Sequence, residues 1–194
     1  MIGTALMIMV MGDKQHSSNL NNTPWDITIH ENGNIRVFGI TLGKTTIQDA
    51  NQILANFPET RLIISTSPKL VAVYDELNIS GFIASIELTY ALEDDALNKL
   101  VTNTTVLPEK NYGQLDKDLE MNLLSTSVSE LIYKPSIDYD MDAILQRFGQ
   151  PGSETKLSET ITRLEYPELG LEIMIDTQAP DYFKYQPLKK PDNN

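Results

Sequence analysis

The feature that most constrains this chain is an internal repeat. The stretch Thr46-Ile-Gln-Asp-Ala-Asn-Gln-Ile-Leu-Ala-Asn-Phe57 lies over Ile137-Asp-Tyr-Asp-Met-Asp-Ala-Ile-Leu-Gln-Arg-Phe148 without a gap. Asp49, Ile53, Leu54 and Phe57 then meet Asp140, Ile144, Leu145 and Phe148. Further on, one residue out of register, Tyr74-Asp-Glu-Leu77 meets Tyr166-Pro-Glu-Leu169. Such a repeat implies that each copy is one supersecondary unit, which needs its neighbour to bury an apolar face. It predicts that Phe57 and Phe148 hold equivalent buried positions. A duplicated helix and hairpin suits binding more readily than it signals chemistry.

Local signals give the units their content. Trp25, Ile27 and Ile29 alternate with polar residues, and Glu31-Asn-Gly-Asn34 follows before Ile35 and Val37 resume the pattern. Asn-Gly between alternating apolar runs is a strong hairpin signal, since both residues tolerate positive φ. Thr46 and Asp49 have the spacing of a capping box, ahead of a helix with Ile47, Ala50, Ile53, Leu54 and Phe57 on one face and Pro58 at its end. Strands are expected at 61–65, 70–74 and 79–90, the last with Phe82, Ala84, Ile86 and Leu88 on one side. Glu93-Asp-Asp95 suits a helix N-terminus. A short helix around 114–124 turns Leu115, Leu119 and Leu123 inward, and a strand at 128–133 ends near Pro135. The second copy supplies a helix at 140–148, strands at 160–166 and 171–176 with a turn at 168–170, and a last strand from Tyr182.

Composition narrows the partners. A formal net charge of −12 argues against a nucleic-acid partner and against anionic lipid, because either needs a basic face. The chain has no cysteine, which removes disulfides, thiolate nucleophiles and zinc–thiolate sites. Met1-Ile-Gly-Thr-Ala-Leu-Met-Ile-Met-Val-Met-Gly12 is almost wholly apolar and is followed by polar Asp13 to Asn22. It is shorter than the ~20 residues that span a bilayer, but matches a signal-peptide apolar core. The expectation is a signal or anchor whose true start lies upstream of Met1, with possession of a buried first strand or helix as the alternative.

Tests for chemistry mostly fail. Gly39-Ile-Thr-Leu-Gly-Lys-Thr45 is one residue short of a phosphate-binding loop. Asp138-Tyr-Asp-Met-Asp142 opens like a calcium loop, but Ala143 and Gly149 stand where glycine and glutamate are needed. His16 and His30 are the only histidines, and no serine sits in a nucleophile elbow. Glu93, Asp94 and Asp95 read as a solvated cap. No catalytic, cofactor-binding or metal-binding residue is assigned. Trp25, Tyr166, Tyr182 and Tyr185 are the candidate interaction surface, since aromatic side chains are enriched at binding hot spots; strand packing is the competing reading.

A resemblance emerges from the second copy. Ala143-Ile-Leu-Gln-Arg-Phe-Gly-Gln-Pro151, followed by Leu164-Glu-Tyr-Pro167 and Gly170-Leu-Glu-Ile-Met-Ile175, resembles the small envelope modules typified by BamE (SmpA/OmlA) and the β-lactamase-inhibitor-protein-like fold. Gly39-Ile-Thr-Leu-Gly-Lys-Thr-Thr46 is similar to the glycine-led helix entrance of the same modules. The first copy departs from the pattern at Phe57-Pro58, and the lipoprotein cysteine is missing. The resemblance implies an α+β fold of two related helix-plus-antiparallel-hairpin modules with an N-terminal β-hairpin. The layout is a segment 1–22, a first module 23–92, a connecting segment 93–134, a second module 135–187 and a tail 188–194. The expected function is non-enzymatic binding or assembly assistance in a cell envelope, with a protein partner and membrane attachment through the N-terminus. The alternatives are a hydrolase using Asp138, Asp140 or Glu93, and a cytoplasmic binding protein.

Overall fold

Backbone chemistry around Gly33 and Gly39 starts the fold. The structure, a computed structural model, describes residues 23–79, 81–104 and 112–188. Strand β1 (Thr28–Ile29) pairs antiparallel with β2 (Ile35–Val37), and the His30 N–H donates to Asn34 O across the turn at 2.8 Å. A third short strand, β3 (Ile40–Thr41), completes this sheet. The sequence pattern did not reveal it, because the turn before it is Phe38-Gly39, both at positive φ (52° and 80°). Consecutive positive φ values make a two-residue hairpin turn. Phenylalanine is an unusual choice there. Its burial offsets the strain: Phe38 is 2% exposed, with its ring centroid 5.0 Å from that of Tyr133.

Helix α1 (Ile47–Leu54) begins as its capping box requires. The Asp49 N–H donates to Thr46 Oγ1 at 3.1 Å, and the Thr46 N–H donates to Asp49 Oδ2 at 3.3 Å. It stops earlier than Pro58, at Ala55, whose φ of 49° turns the chain out of the helix. The other helices are α2 (Asp94–Asn103), α3 (Lys117–Leu123) and α4 (Met141–Phe148). Asp140 caps α4 by accepting the Ala143 N–H at 2.6 Å.

The main sheet has eight antiparallel strands: β4 (Glu59–Ile63), β5 (Lys69–Ile79), β6 (Phe82–Tyr90), β7 (Val128–Pro135), β8 (Ser153–Lys156), β9 (Ile161–Tyr166), β10 (Leu171–Asp176) and β11 (Tyr182–Tyr185). Their order across the sheet is β4-β5-β6-β7-β11-β10-β9-β8. The fold class is therefore α+β. Period-two alternation buries Ala84, Ile86, Leu88 and Tyr90 on one face of β6. That face, the small sheet and residues such as Ile47, Ala50 and Ile144 of α1 and α4 share one hydrophobic cluster.

Three differences from the sequence reading have local causes. β5 runs on past Tyr74 because a bulge between Tyr74 and Leu77 absorbs Asp75 and Glu76, the latter at φ 54°. β8 lacks an apolar side to betray it: Ser153, Glu154 and Lys156 are exposed. The expected equivalence of Phe57 and Phe148 does not hold. Phe57 lies beyond the end of α1 and is 84% exposed, whereas Phe148 is the last residue of α4 and packs against the core. Asp49 sits inside α1 while Asp140 precedes α4, so helix position matches Thr46 with Asp140 and Leu54 with Phe148.

Leu188, assigned to the tail, packs on the core and donates its N–H to Gly33 O at 2.9 Å. The apolar run at the N-terminus falls outside the described residues. Among those that are described, no helix is long and apolar enough to cross a membrane.

Candidate functional site: the open face of the large sheet

The face of the large sheet opposite the core is built by register. Glu59, Val73, Glu87, Ile132, Lys184, Glu172, Glu165 and Ser153 are successive partners across all its strands and form one continuous rung. Because side chains alternate, Arg61, Val71, Thr89 and Glu130 stand on the same face in the next rung, and Ser85 and Lys134 on the other side.

Opposite charges meet on this face. Lys134 pairs with Glu87, Lys184 with Glu172 at 3.2 Å, Lys69 with Glu130 at 3.0 Å, and Arg61 with Glu59 at 2.6 Å. Arg163 stands 3.8 Å from Glu165. The acidity of the chain as a whole is thus balanced locally here. Glu130 is the fixed point: only 6% exposed, it accepts hydrogen bonds from Lys69 Nζ, Gln186 Nε2 and Thr89 Oγ1. Such satisfaction is what a buried carboxylate requires. At one edge the Arg61 guanidinium lies 5.0 Å from the Tyr112 ring centroid, and the Tyr112 hydroxyl donates to Glu59. Desolvation lowers the Arg61 pKa, but the hydrogen bond and charge of Glu59, with Tyr112 and Asp75 beside it, raise it on balance.

Apolar positions are set among the charges. Val71 and Val73 are buried although they lie outside the core cluster, and Ile83 is 47% exposed. Ser153, Glu165, Glu172 and Lys184 line an open hollow of about 610 Å³ near the opposite edge. Chemically, the face offers a ladder of paired charges with half-buried Ile132 and exposed Ile83 among them.

The aromatic candidates divide between layers. Tyr185 is fully buried and donates its hydroxyl to Pro24 O at 2.8 Å; Tyr166 is 4% exposed, donates to Gly149 O at 3.2 Å and stacks near Phe148. Both belong to the core, a correction to their place in the candidate surface. The reason is strand alternation: Tyr185 and Phe183 turn inward, leaving Tyr182 half-buried on the other face opposite Met174. Trp25 is half-exposed and pairs with α4, with the Arg147 guanidinium 4.5 Å from its ring centroid.

The chemical motifs find structural employment. The amides that a phosphate loop would offer are already engaged: Gly43 N–H donates to Val128 O, Ile47 N–H to Thr126 O and Gln48 N–H to Leu124 O, all within 3.0 Å. Glu93, Asp138 and Asp140 are exposed, and Asp140 is occupied as a helix cap. Among the described residues no group of three or more His, Asp and Glu converges to hold a metal ion. His30 is exposed at the hairpin, and His16 lies outside the described residues.

Two buried acids escaped sequence reasoning. Asp181, 1% exposed, accepts the N–H groups of Tyr139 and Asp176 at 3.0 Å each, tying the approach to α4 to the end of β10. Its only sequence signal is a polar residue before a strand, which is common in loops. Glu130 was equally hidden, because its partners come from three distant strands or strand ends. No family model, curated protein or solved structure matches this chain.

Proposed function

We propose that this protein is a non-enzymatic binding or assembly-accessory protein of a cell envelope, which receives a protein partner on the open face of its large sheet. Two related modules build that face in this reading, α1 with β4, β5 and β6 and α4 with β8 to β11, and β7 at the end of the connecting segment joins them. The observation that carries the proposal is the continuous cross-sheet rung with its locally balanced charges and intervening aliphatic residues. Paired charges direct orientation and choice of partner more than raw affinity, while half-buried Ile132 and exposed Ile83 supply apolar contact. The apolar N-terminal run motivates the envelope address.

The test is photo-crosslinking in cells that express the full native gene, combined with fractionation. A photoreactive residue replacing Ile132, at the centre of the rung, should capture a defined partner in the envelope fraction. The same residue replacing exposed Gln48 on α1 should not. Recovery as a cytoplasmic protein with no adduct from position 132 would sink the proposal.

A further inference from the structure

The two edges of the large sheet are not alike. The outer side of β4 is closed by Gly113, which exchanges backbone hydrogen bonds with Leu62 at 2.8 and 2.9 Å. At the other edge, β8 pairs only with β9 among the described residues. The Leu157 N–H donates to Ile161 O at 2.9 Å, and in the same register Thr155 faces Arg163. Antiparallel strands alternate the direction of their backbone groups, so Thr155 turns its N–H and C=O toward β9. Those of Glu154 and Lys156 point out of the sheet. Both side chains are exposed, and neither joins an ion pair among the described residues.

We propose that β8 is a self-complementary edge, through which two copies of this chain join their large sheets by antiparallel β8–β8 pairing centred on Thr155. In that register Glu154 of each copy faces Lys156 of the other. The outward N–H and C=O groups of these two residues then meet as hydrogen-bonded pairs, and Thr155 meets its own counterpart at the non-hydrogen-bonded centre. Opposite charges and Thr–Thr pairs are favourable cross-strand neighbours. Centring the pairing on Glu154 or Lys156 instead sets like charges against each other, and a shift by one residue presents the wrong backbone groups. Charge and hydrogen-bond geometry thus select the same register. A four-residue edge buries less than the about 800 Å² per partner of a standard interface, so the dimer is weak and reversible.

Sedimentation velocity of the full chain across about 10 to 500 µM tests this, the range where an interface below standard size exchanges partners. The wild type should shift from monomer to dimer. Glu154→Lys and Lys156→Glu should each weaken self-association about tenfold or more, by opposing like charges twice per dimer. Mixing those two variants should restore association as a heterodimer, and the double variant should restore the homodimer. Lys156→Pro, which removes an outward donor and leaves the Thr155 N–H in place, should also abolish pairing. Circular dichroism checks that each variant is folded. A wild type that stays monomeric throughout overturns the proposal, as does a dimer indifferent to these substitutions. Mixing that fails to restore association overturns the register.

Discussion

Phe57 and Phe148 align when residues 46–57 are laid over 137–148 but stand in opposite environments in the fold, and their removal should separate the two descriptions. Phe148 is half-buried, with ring centroids of Tyr166 and Phe183 at 5.8 and 6.0 Å. A phenylalanine buries about 150–250 Å² when fully enclosed, so half burial is about 100 Å². At about 25 cal/mol per Å² that contributes about 2.5 kcal/mol, and each ring contact adds about 0.5 kcal/mol. Phe148→Ala should therefore cost about 3.5 kcal/mol. Phe57 is 84% exposed, and Phe57→Ala should stay within about 0.5 kcal/mol of the wild type. Urea unfolding reads both. With a slope of about 2 kcal/mol per M, the Phe148 variant should lose about 1.8 M in midpoint and the Phe57 variant almost nothing. Equal losses would refute the structural assignment and reinstate the ungapped alignment as the guide to the core.

Two further outcomes test other parts of the fold. Gly170, at φ 59°, has the Gln186 carbonyl where a Cβ would stand, so Gly170→Ala should cost about 3 kcal/mol or more. Gly149→Ala meets open space, and only its backbone at φ 79° and ψ −164°, a region essentially reserved for glycine, should cost it, about 2 kcal/mol; thermal melts that rank Gly149→Ala as the worse of the two would contradict this packing. Asp181→Ala should cost about 2 kcal/mol or more, because it orphans two backbone donors. Burial raises the Asp181 pKa, against those two hydrogen bonds, and Asp138 and Asp176 add to the rise. A native pKa above the unfolded one gives a contribution that is full below the unfolded value of about 3.9 and is lost as pH rises through the native value. The stability gap between wild type and variant should therefore narrow from acid toward neutral pH. A gap that widens over that interval would reverse the sign argument.

Legibility in the sequence followed how local each signal was. The hairpin turn at Asn32-Gly33 and the Thr46–Asp49 cap depend on backbone preferences within a few residues, and both were readable. The alternation of β6 was readable for the same reason. β8 was not, because an edge strand without a buried side has no apolar rhythm. The small strand β3 was missed because Phe38 takes a conformation that only its burial against Tyr133 and Tyr185 makes tolerable. Tyr166 and Tyr185 were assigned to a surface because composition marks aromatic residues without marking which strand face they occupy.

The sequence by itself determined the α+β class, most helices and strands, and the net charge of −12. These rest on periodicity, capping and composition, which act within a short stretch or sum over the whole chain. Only the tertiary structure decided the strand order β4-β5-β6-β7-β11-β10-β9-β8, the rung from Glu59 to Ser153, and the burial of Glu130 and Asp181. Those depend on cross-strand register and on contacts between residues far apart in the chain. A one-residue shift in register would send every side chain of a strand to the other face. Where α1 and α4 start was readable at Thr46 and Asp140, but which phenylalanine is buried was settled by the packing around each helix end.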